Sequence, residues 1–323
     1  MNINLFRYAM VPIKKNVRKG ERVLIVSDYK VEKDIQDVLV AAVYAEEAIP
    51  TLMVVPPPEN FGNELSEMVA KAVLECDLVI GACSTAISHT NTIRAATSSG
   101  KRYLAMGGQT TKSFTTGAAT ADFDRVFSLT QKIANIMKTG DHVHVTSDKG
   151  TDIQFSIKNR TVFPLAGLID ESHGNQGGYP TGESATSPLE GTANGVIVVD
   201  GSVHQIGKLK NNIKLTVENG RVIKIEGGPE AEELKRILEK GGDENSTNIA
   251  EFALGTNHAA KMDDNAQAAK KAVGTIHFAL GDNMSLDGKI YSKLHLDHVI
   301  TGCTVVIDGT VILDKGKLVI SED

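Results

Sequence analysis

The chain has 323 residues, with 34 basic and 40 acidic side chains, a formal net charge of −6 and a pI near 5.9. That balance argues against a nucleic-acid binder, which would carry a basic stripe with stacking aromatics. The basic clusters here (Lys14, Lys15, Arg18, Lys19; Lys208, Lys210) are short, and tryptophan is absent. Cys76, Cys83 and Cys303 are isolated, offer no paired zinc spacing and fit a reducing compartment. With no apolar run of membrane-spanning length and no basic-then-apolar start, the expectation is a cytoplasmic protein with no nucleic-acid or membrane partner.

The length allows two domains, each with its own core. The first part alternates strand and helix. Arg22–Asp28 reads as a strand, and Lys33 to Ala48 as a helix with Val38, Val40, Ala41, Val43 and Ala45 on its apolar stripe. Thr51–Val55 is a second strand, stopped by Pro56-Pro57-Pro58. A helix from Leu65 to Leu74, a strand at Leu78–Gly81, a helix from Thr92 to Ser98 and a strand at Arg102–Met106 follow. Near-continuous apolar strands alternating with helices predict a parallel sheet covered on both faces. A helix from about Asp122 to Lys138 is expected to close this Rossmann-like α/β domain over residues 1–140. The loop after the first strand, Ser27-Asp28-Tyr29-Lys30, lacks the glycines that cradle a pyrophosphate, so no nucleotide site is expected.

From Asp141 the pattern changes to hairpins, predicting an α+β, mostly antiparallel catalytic domain over residues 141–323. His142–Ser147 and Asp152–Ile157 flank Asp148-Lys149-Gly150. Asn219-Gly220 and Asp308-Gly309 are two-residue hairpin signals, and Asp200-Gly201 after Val196–Val199 reads in the same way. Pro229 to Glu239 is a charged amphipathic helix.

Three strand-like segments in this second part carry chemistry: Ala250–Gly255, Gly274–Gly281 and Leu294–His298. Each places large apolar residues on one alternation (Phe252, Leu254; Ile276, Phe278, Leu280; Leu294, Leu296). Glu251, His277, His295 and Asp297 fall on the other, beside small residues such as Ala253 and Ala279. Imidazole with carboxylate suits a divalent metal such as zinc, cobalt, manganese or iron. His298 points the opposite way and reads as structural or as a residue that supports a ligand from behind. A sheet with one buried and one wet face would explain any single segment; three in succession favour a metalloenzyme.

These segments resemble the thermophilic aminopeptidase (aminopeptidase T) metallopeptidase family, which includes a shorter relative, 2,5-dihydroxypyridine 5,6-dioxygenase. The likeness also rests on Gly177-Gly178-Tyr179-Pro180-Thr181-Gly182-Glu183, on Ser88-His89-Thr90 and on the Arg94-Ala95-Ala96 helix, and it covers nearly the whole chain. In the peptidases the matching positions hold two divalent ions. The resemblance thus implies Glu183 as a shared carboxylate, Glu251 and His277 on one metal, and His295 and Asp297 on the other. Glu183 and Glu251 would be the catalytic carboxylates beside metal-activated water. Two positions depart from the peptidase pattern: Ala272 replaces an acidic residue and Met284 replaces a tyrosine. The dioxygenase relative uses only the His277, His295 and Asp297 positions, around one Fe(II), with the His89 position near its substrate.

The leading expectation is therefore a metal-dependent hydrolase using two Zn, Co or Mn ions on a peptide or small amide, since Glu183 and Glu251 would be surplus around a three-ligand iron. The alternative is a mononuclear non-haem iron ring-cleaving dioxygenase. A third reading is a small-ligand-binding relative without catalysis. The site is expected in the cleft between the domains, with His89, His173, Tyr179 and the Asp282–Ser285 loop as substrate-contacting candidates. The resemblance further implies a homo-oligomer, a dimer or higher.

Overall fold

A computed structural model describes residues 2–58, 64–88, 90–169, 175–262 and 266–320. The chain divides into two compact units: Met1–Thr120 with Ala166–Thr181, and Ala121–Leu165 with Gly182–Asp323.

The first unit is α/β. Strands β1 (Arg22–Asp28), β2 (Ile49–Val55), β3 (Leu78–Ala82) and β4 (Arg102–Ala105) form a parallel sheet in the order β2-β1-β3-β4. A fifth strand, β8 (Gln176–Gly178), adds in parallel beside β4. Val23 to Asp28 are all buried, which is why this strand is apolar without alternation. Helix α2 (Lys33–Ala45) packs against β1 and β2. Its buried residues are Ile35, Gln36, Val38, Leu39, Ala42 and Val43, so the stripe is rotated from the one expected: Leu39 and Ala42 face inward, and Ala45 is exposed. Helices α3 (Glu67–Glu75) and α4 (Asn91–Ser98) bury Val69, Val73, Ile93 and Ala96 against Leu24, Val26, Val79 and Tyr103.

An N-terminal helix that the pattern reading did not predict, α1 (Ile3–Asn16), packs on α2. Its Asn2 cap accepts a hydrogen bond from Leu5 N. Its last residue, buried Asn16, donates to Gly167 O at 2.8 Å and accepts from Ile169 N at 2.7 Å, which ties residues 166–181 into this unit. Helix α5 (Thr111–Thr115) is the last α-helix among the described residues of this unit.

The second unit is a β-sandwich. One sheet contains β5 (His142–Ser147), β6 (Asp152–Ser156), β10 (Asn194–Val199), β13 (Ile213–Glu218), β14 (Arg221–Gly227), β18 (Cys303–Ile307), β19 (Thr310–Asp314) and β20 (Lys317–Leu318). The other has the order β12-β11-β17-β16-β15-β9-β7. Its strands are β7 (Val162–Leu165), β9 (Glu183–Thr186), β11 (Ser202–Val203), β12 (Gly207–Lys208), β15 (Ile249–Gly255), β16 (Ile276–Gly281) and β17 (His295–Ile300). Facing side chains of the two sheets form one core, centred on Phe155, Phe252 and Phe278, whose ring centroids lie 5.0–5.6 Å apart. Helix α6 (Phe123–Thr139), capped by Asp122, adds Leu129, Ile133, Ala134 and Met137 to this core. It therefore belongs to the second unit and does not close the parallel-sheet unit. Helix α7 (Pro229–Gly241) packs on β14 through its amphipathic face, and a single turn, α8 (Ala266–Ala269), precedes β16.

The hairpin signals at Asn219-Gly220 and Asp308-Gly309 form the β13–β14 and β18–β19 turns, each with two consecutive positive φ values. Asp200-Gly201 does not form a hairpin: β10 pairs with β6 and β13, and the chain crosses to the other sheet at β11. The Asp200 carboxylate accepts from Thr301 N and Oγ1 and pairs with Lys149, so it pins the crossing instead of turning it.

The segment between β16 and β17 is tied down by Glu190. Its carboxylate accepts from Asn283 Nδ2 (3.0 Å) and Lys289 N (2.9 Å) and pairs with Arg160. Burial opposes ionisation, but the Arg160, Lys289 and Asn283 hydrogen bonds outweigh it and hold the carboxyl at about 2.

Two outcomes follow for stability. Phe155→Ala should cost about 3–5 kcal/mol in urea unfolding, because Phe252 and Phe278 lose their common packing partner; a loss below about 1 kcal/mol would contradict the shared core. Glu190 is ionised in the folded chain well below its ordinary 4.5, so its contribution is complete above that value and is lost as pH falls toward about 2. Glu190→Gln should lower stability by about 1–2 kcal/mol at neutral pH, allowing for solvent screening. The gap to the unsubstituted protein should narrow by about half near pH 3. A gap independent of pH would show that the carboxylate charge contributes nothing.

Candidate metal centre

The apolar face of the β7–β12 sheet is committed to the sandwich, so its other face receives every alternate residue. Register then fixes what meets what. Gly255 pairs with Glu183, Glu251 with Ala279, Ala253 with His277, Ala279 with Asp297, and Gly281 with His295. Each acidic or imidazole side chain thus has an alanine or glycine opposite it on one neighbouring strand, while on the other side His277 meets Val299 and Glu183 meets Leu165. At Gly281, with φ +112°, a Cβ would fall 2.0 Å from Leu294 O, so no other residue fits the close approach of β17.

The side chains converge. His277 Nε2 lies 3.2 Å from Glu251 Oε1, and His295 Nε2 lies 2.9 Å from Glu251 Oε2. His295 Nε2 is 3.5 Å from Asp297 Oδ1, and His277 Nε2 is 3.7 Å from Glu183 Oε2. Donor atoms of Glu251, His295 and Asp297 all lie within 4.8 Å of one another; His277 joins from the other side of Glu251. Four of the five sequence-predicted ligands therefore share one cluster, and Glu183 borders it.

His295 Nδ1 donates to Asp282 O at 2.7 Å. That bond fixes the ring and turns Nε2 toward the carboxylates. A neutral His295 would then set its Nε2 lone pair against Glu251, and a shared proton or cation is what reconciles the two. Asp297 Oδ1 and Glu183 Oε2 are buried without a hydrogen-bond partner. Inward-turned Nε2 atoms and orphaned carboxylate oxygens fit a divalent cation.

The sequence reading missed Lys270 and Lys271. Lys270 Nζ is 3.0 Å from Asp297 Oδ2 and 3.8 Å from Glu183 Oε2; Lys271 Nζ is 2.8 Å from Glu183 Oε1. The signal was present, since two lysines end an alanine-rich segment beside the departing position Ala272, but lysine is ordinarily exposed.

The ionisation states interlock. Burial would raise the Glu183, Glu251 and Asp297 carboxyls, yet all three are held below the usual range. Lys270 and then Lys271 do this for Glu183; the two imidazole hydrogen bonds, and then Lys270, for Glu251; Lys270, and then His295, for Asp297. Burial would lower His295, but the neighbouring Asp297 carboxylate and the bond to Glu251 raise it well above its ordinary value. Lys270 is likewise raised against burial by Asp297, Glu183 and Glu251, whereas burial prevails at Lys271 and lowers it.

The remaining sequence candidates lie elsewhere. Tyr179 is buried in the first unit, its hydroxyl donating to Ala119 O at 2.9 Å and its ring tilted against Phe114. Ala272 is buried and its carbonyl accepts from Thr275. Met284 is half exposed in the turn after β16, where Leu286 packs over Ala185 and Ala253 on the polar face. His298 faces the sandwich core with Nδ1 donating to Leu296 O, and burial pushes it down to about 4. His89 and His173 lie outside the described residues. No helix among the described residues is long and apolar enough to cross a membrane.

Comparison with known proteins agrees on the scaffold. The structure of 2,5-dihydroxypyridine dioxygenase from Pseudomonas putida KT2440 aligns with a TM-score of 0.84 at 20% identity, covering 100% of this chain and 99% of that one. AmpT from Thermus thermophilus aligns with a TM-score of 0.73 at 15% identity, covering 98% and 99%. At such identities the likeness is one of fold, and it matches the α/β first unit and antiparallel second unit.

In sequence, the P. putida 2,5-dihydroxypyridine 5,6-dioxygenase is 27% identical over 202 residues, 58% of this chain and 57% of that protein. Aminopeptidase AmpS from Bacillus subtilis is 32% identical over 107 residues, 33% of this chain and 26% of that protein. The chain thus spans little more than half of the first curated relative and about a quarter of the second. The family model for 2,5-dihydroxypyridine 5,6-dioxygenase, NicX, matches residues 3–320, and the chain therefore belongs to the NicX family.

Proposed function

We propose that this protein is a mononuclear non-haem iron dioxygenase that opens a hydroxylated nitrogen-containing aromatic ring. The observation that carries this reading is the convergence of His277 and His295 Nε2 on the Glu251 carboxylate beside Asp297. Two imidazoles and a carboxylate on one sheet face are the donor set of non-haem iron(II) oxygenases. The NicX match along nearly the whole chain supports the same choice.

His277, His295 and Asp297 would hold the iron, with Glu251 in reach as a further carboxylate. Bound there, iron(II) would supply oxygen chemistry and positions open to a chelating substrate. The protein's own groups do the rest. Asp282 O holds the His295 ring in place. Lys270 anchors Asp297 Oδ2 and so leaves Oδ1 toward His295.

A metal-dependent hydrolase is the second reading. It is favoured by Glu183 and Glu251 standing on the same face as the other three ligands, the arrangement expected for paired metals, and by the likeness to AmpS and AmpT.

Anaerobic loading with Fe(II), followed by 2,5-dihydroxypyridine and oxygen, tests the choice. The proposal expects oxygen uptake stoichiometric with substrate loss, abolished by exhaustive chelation. Hydrolysis of an aminoacyl-p-nitroanilide by the zinc- or cobalt-loaded protein, without oxygen uptake by the iron form, would favour the hydrolase instead. His295→Ala and Asp297→Ala should weaken iron binding at least about tenfold while unfolding stays cooperative. His298→Ala should keep its iron, since that ring faces the core; loss of iron there would overturn the assignment of faces.

A further inference from the structure

Lys270 and Lys271 follow a single helical turn; Lys270 is buried and Lys271 largely so, with side chains only 10% and 12% exposed. Two adjacent lysines seldom share a buried site unless opposite charge holds them. Here they meet two carboxylates from different strands: Lys271 holds Glu183, and Lys270 holds Asp297 while also approaching Glu183. Glu183 is 3% exposed, and its Oε2, like Asp297 Oδ1, is buried with no hydrogen-bond partner.

A charge count gives the pair its meaning. Glu183, Glu251 and Asp297 carry three negative charges, and the two ammonium groups offset two of them. One divalent cation would then bring the centre to a single positive charge. Without the lysines, two divalent cations would bring it to the same value. The two ammonium groups are therefore equivalent in charge to one divalent ion, and they engage the carboxylate oxygens that a second ion would need.

We propose that Lys270 and Lys271 act as a built-in substitute for a second divalent cation and so limit this centre to one metal per chain. The proposal rests on the metal-centre reading given above. It assigns Lys270 and Lys271 as specificity-determining residues for metal stoichiometry, and it explains why Glu183 persists beside a site that needs only three ligands.

The test is metal content. The unsubstituted protein and the Lys270→Gln/Lys271→Gln variant are equilibrated with excess Zn(II), desalted and analysed by mass spectrometry for zinc per chain, with melting curves before and after loading. The unsubstituted protein should hold one zinc. The variant should hold two, and its melting temperature should rise more on loading. Lys270→Arg/Lys271→Arg, which keeps both charges, should stay at one. Two zinc ions in the unsubstituted protein would overturn the proposal without any variant. A folded double-glutamine variant that still holds one would overturn it while leaving the metal centre standing. No zinc in the unsubstituted protein would remove the metal centre itself, and the proposal with it. If the double variant does not melt cooperatively, Lys271→Gln alone decides: a second zinc binding at least about tenfold more tightly than in the unsubstituted protein supports the proposal, and an unchanged second affinity overturns it.

Discussion

The two-residue alternation of the β9–β15–β16–β17 strands is the constraint on which the rest of this centre depends. Phe252, Phe278, Leu280 and Leu296 are fully buried in the sandwich core, and a slip of one residue in any strand would carry them to the polar face. The core therefore fixes register, and register fixes Glu183, Glu251, His277, His295 and Asp297 on the opposite face. The ligands need no packing of their own to find one another. Burial of large apolar rings behind the sheet holds the charged groups in front of it.

That arrangement concentrates charge where water is scarce. A buried carboxylate without compensation is costly, and three on one face would be prohibitive. The protein compensates them from two directions. Imidazoles on the same sheet meet Glu251 from either side, and ammonium groups from the segment before β16 meet Glu183 and Asp297. Lys270 and the carboxylates are each stabilised in their charged forms largely by the other, while burial works against the charge on Lys271. The NicX and aminopeptidase relatives share this scaffold, and the balance between lysine and metal charge is a means by which one scaffold could serve centres of different stoichiometry.

Much of the second unit was legible because local signals there are strong. Asn219-Gly220 and Asp308-Gly309 can adopt the positive φ values of a tight hairpin, and they do. The polar positions of β15, β16 and β17 were legible because the apolar residues between them are large. Asp200-Gly201 carried the same local signal and yet crosses between sheets, because the Asp200 carboxylate is claimed by Thr301 and Lys149, far away in sequence. Strand β8 is three residues long with two glycines, so its place beside β4 rests on pairing that no periodicity records. Helix α1 was hidden by its basic end. Lys270 and Lys271 were hidden by chemistry: nothing local distinguishes a buried lysine from a solvated one, and only the fold brings them to Asp297 and Glu183.

The central claim is a single metal ion held by side chains of one sheet face. X-ray absorption spectroscopy on the anaerobically iron-loaded protein tests it most directly, because it counts the imidazoles on the metal and detects a neighbouring metal. The account predicts an iron site with two imidazoles, from His277 and His295, carboxylate oxygen, and no metal–metal scattering. A metal neighbour at roughly 3.5–4 Å, the spacing of two-metal hydrolases, or a site without imidazole would contradict it.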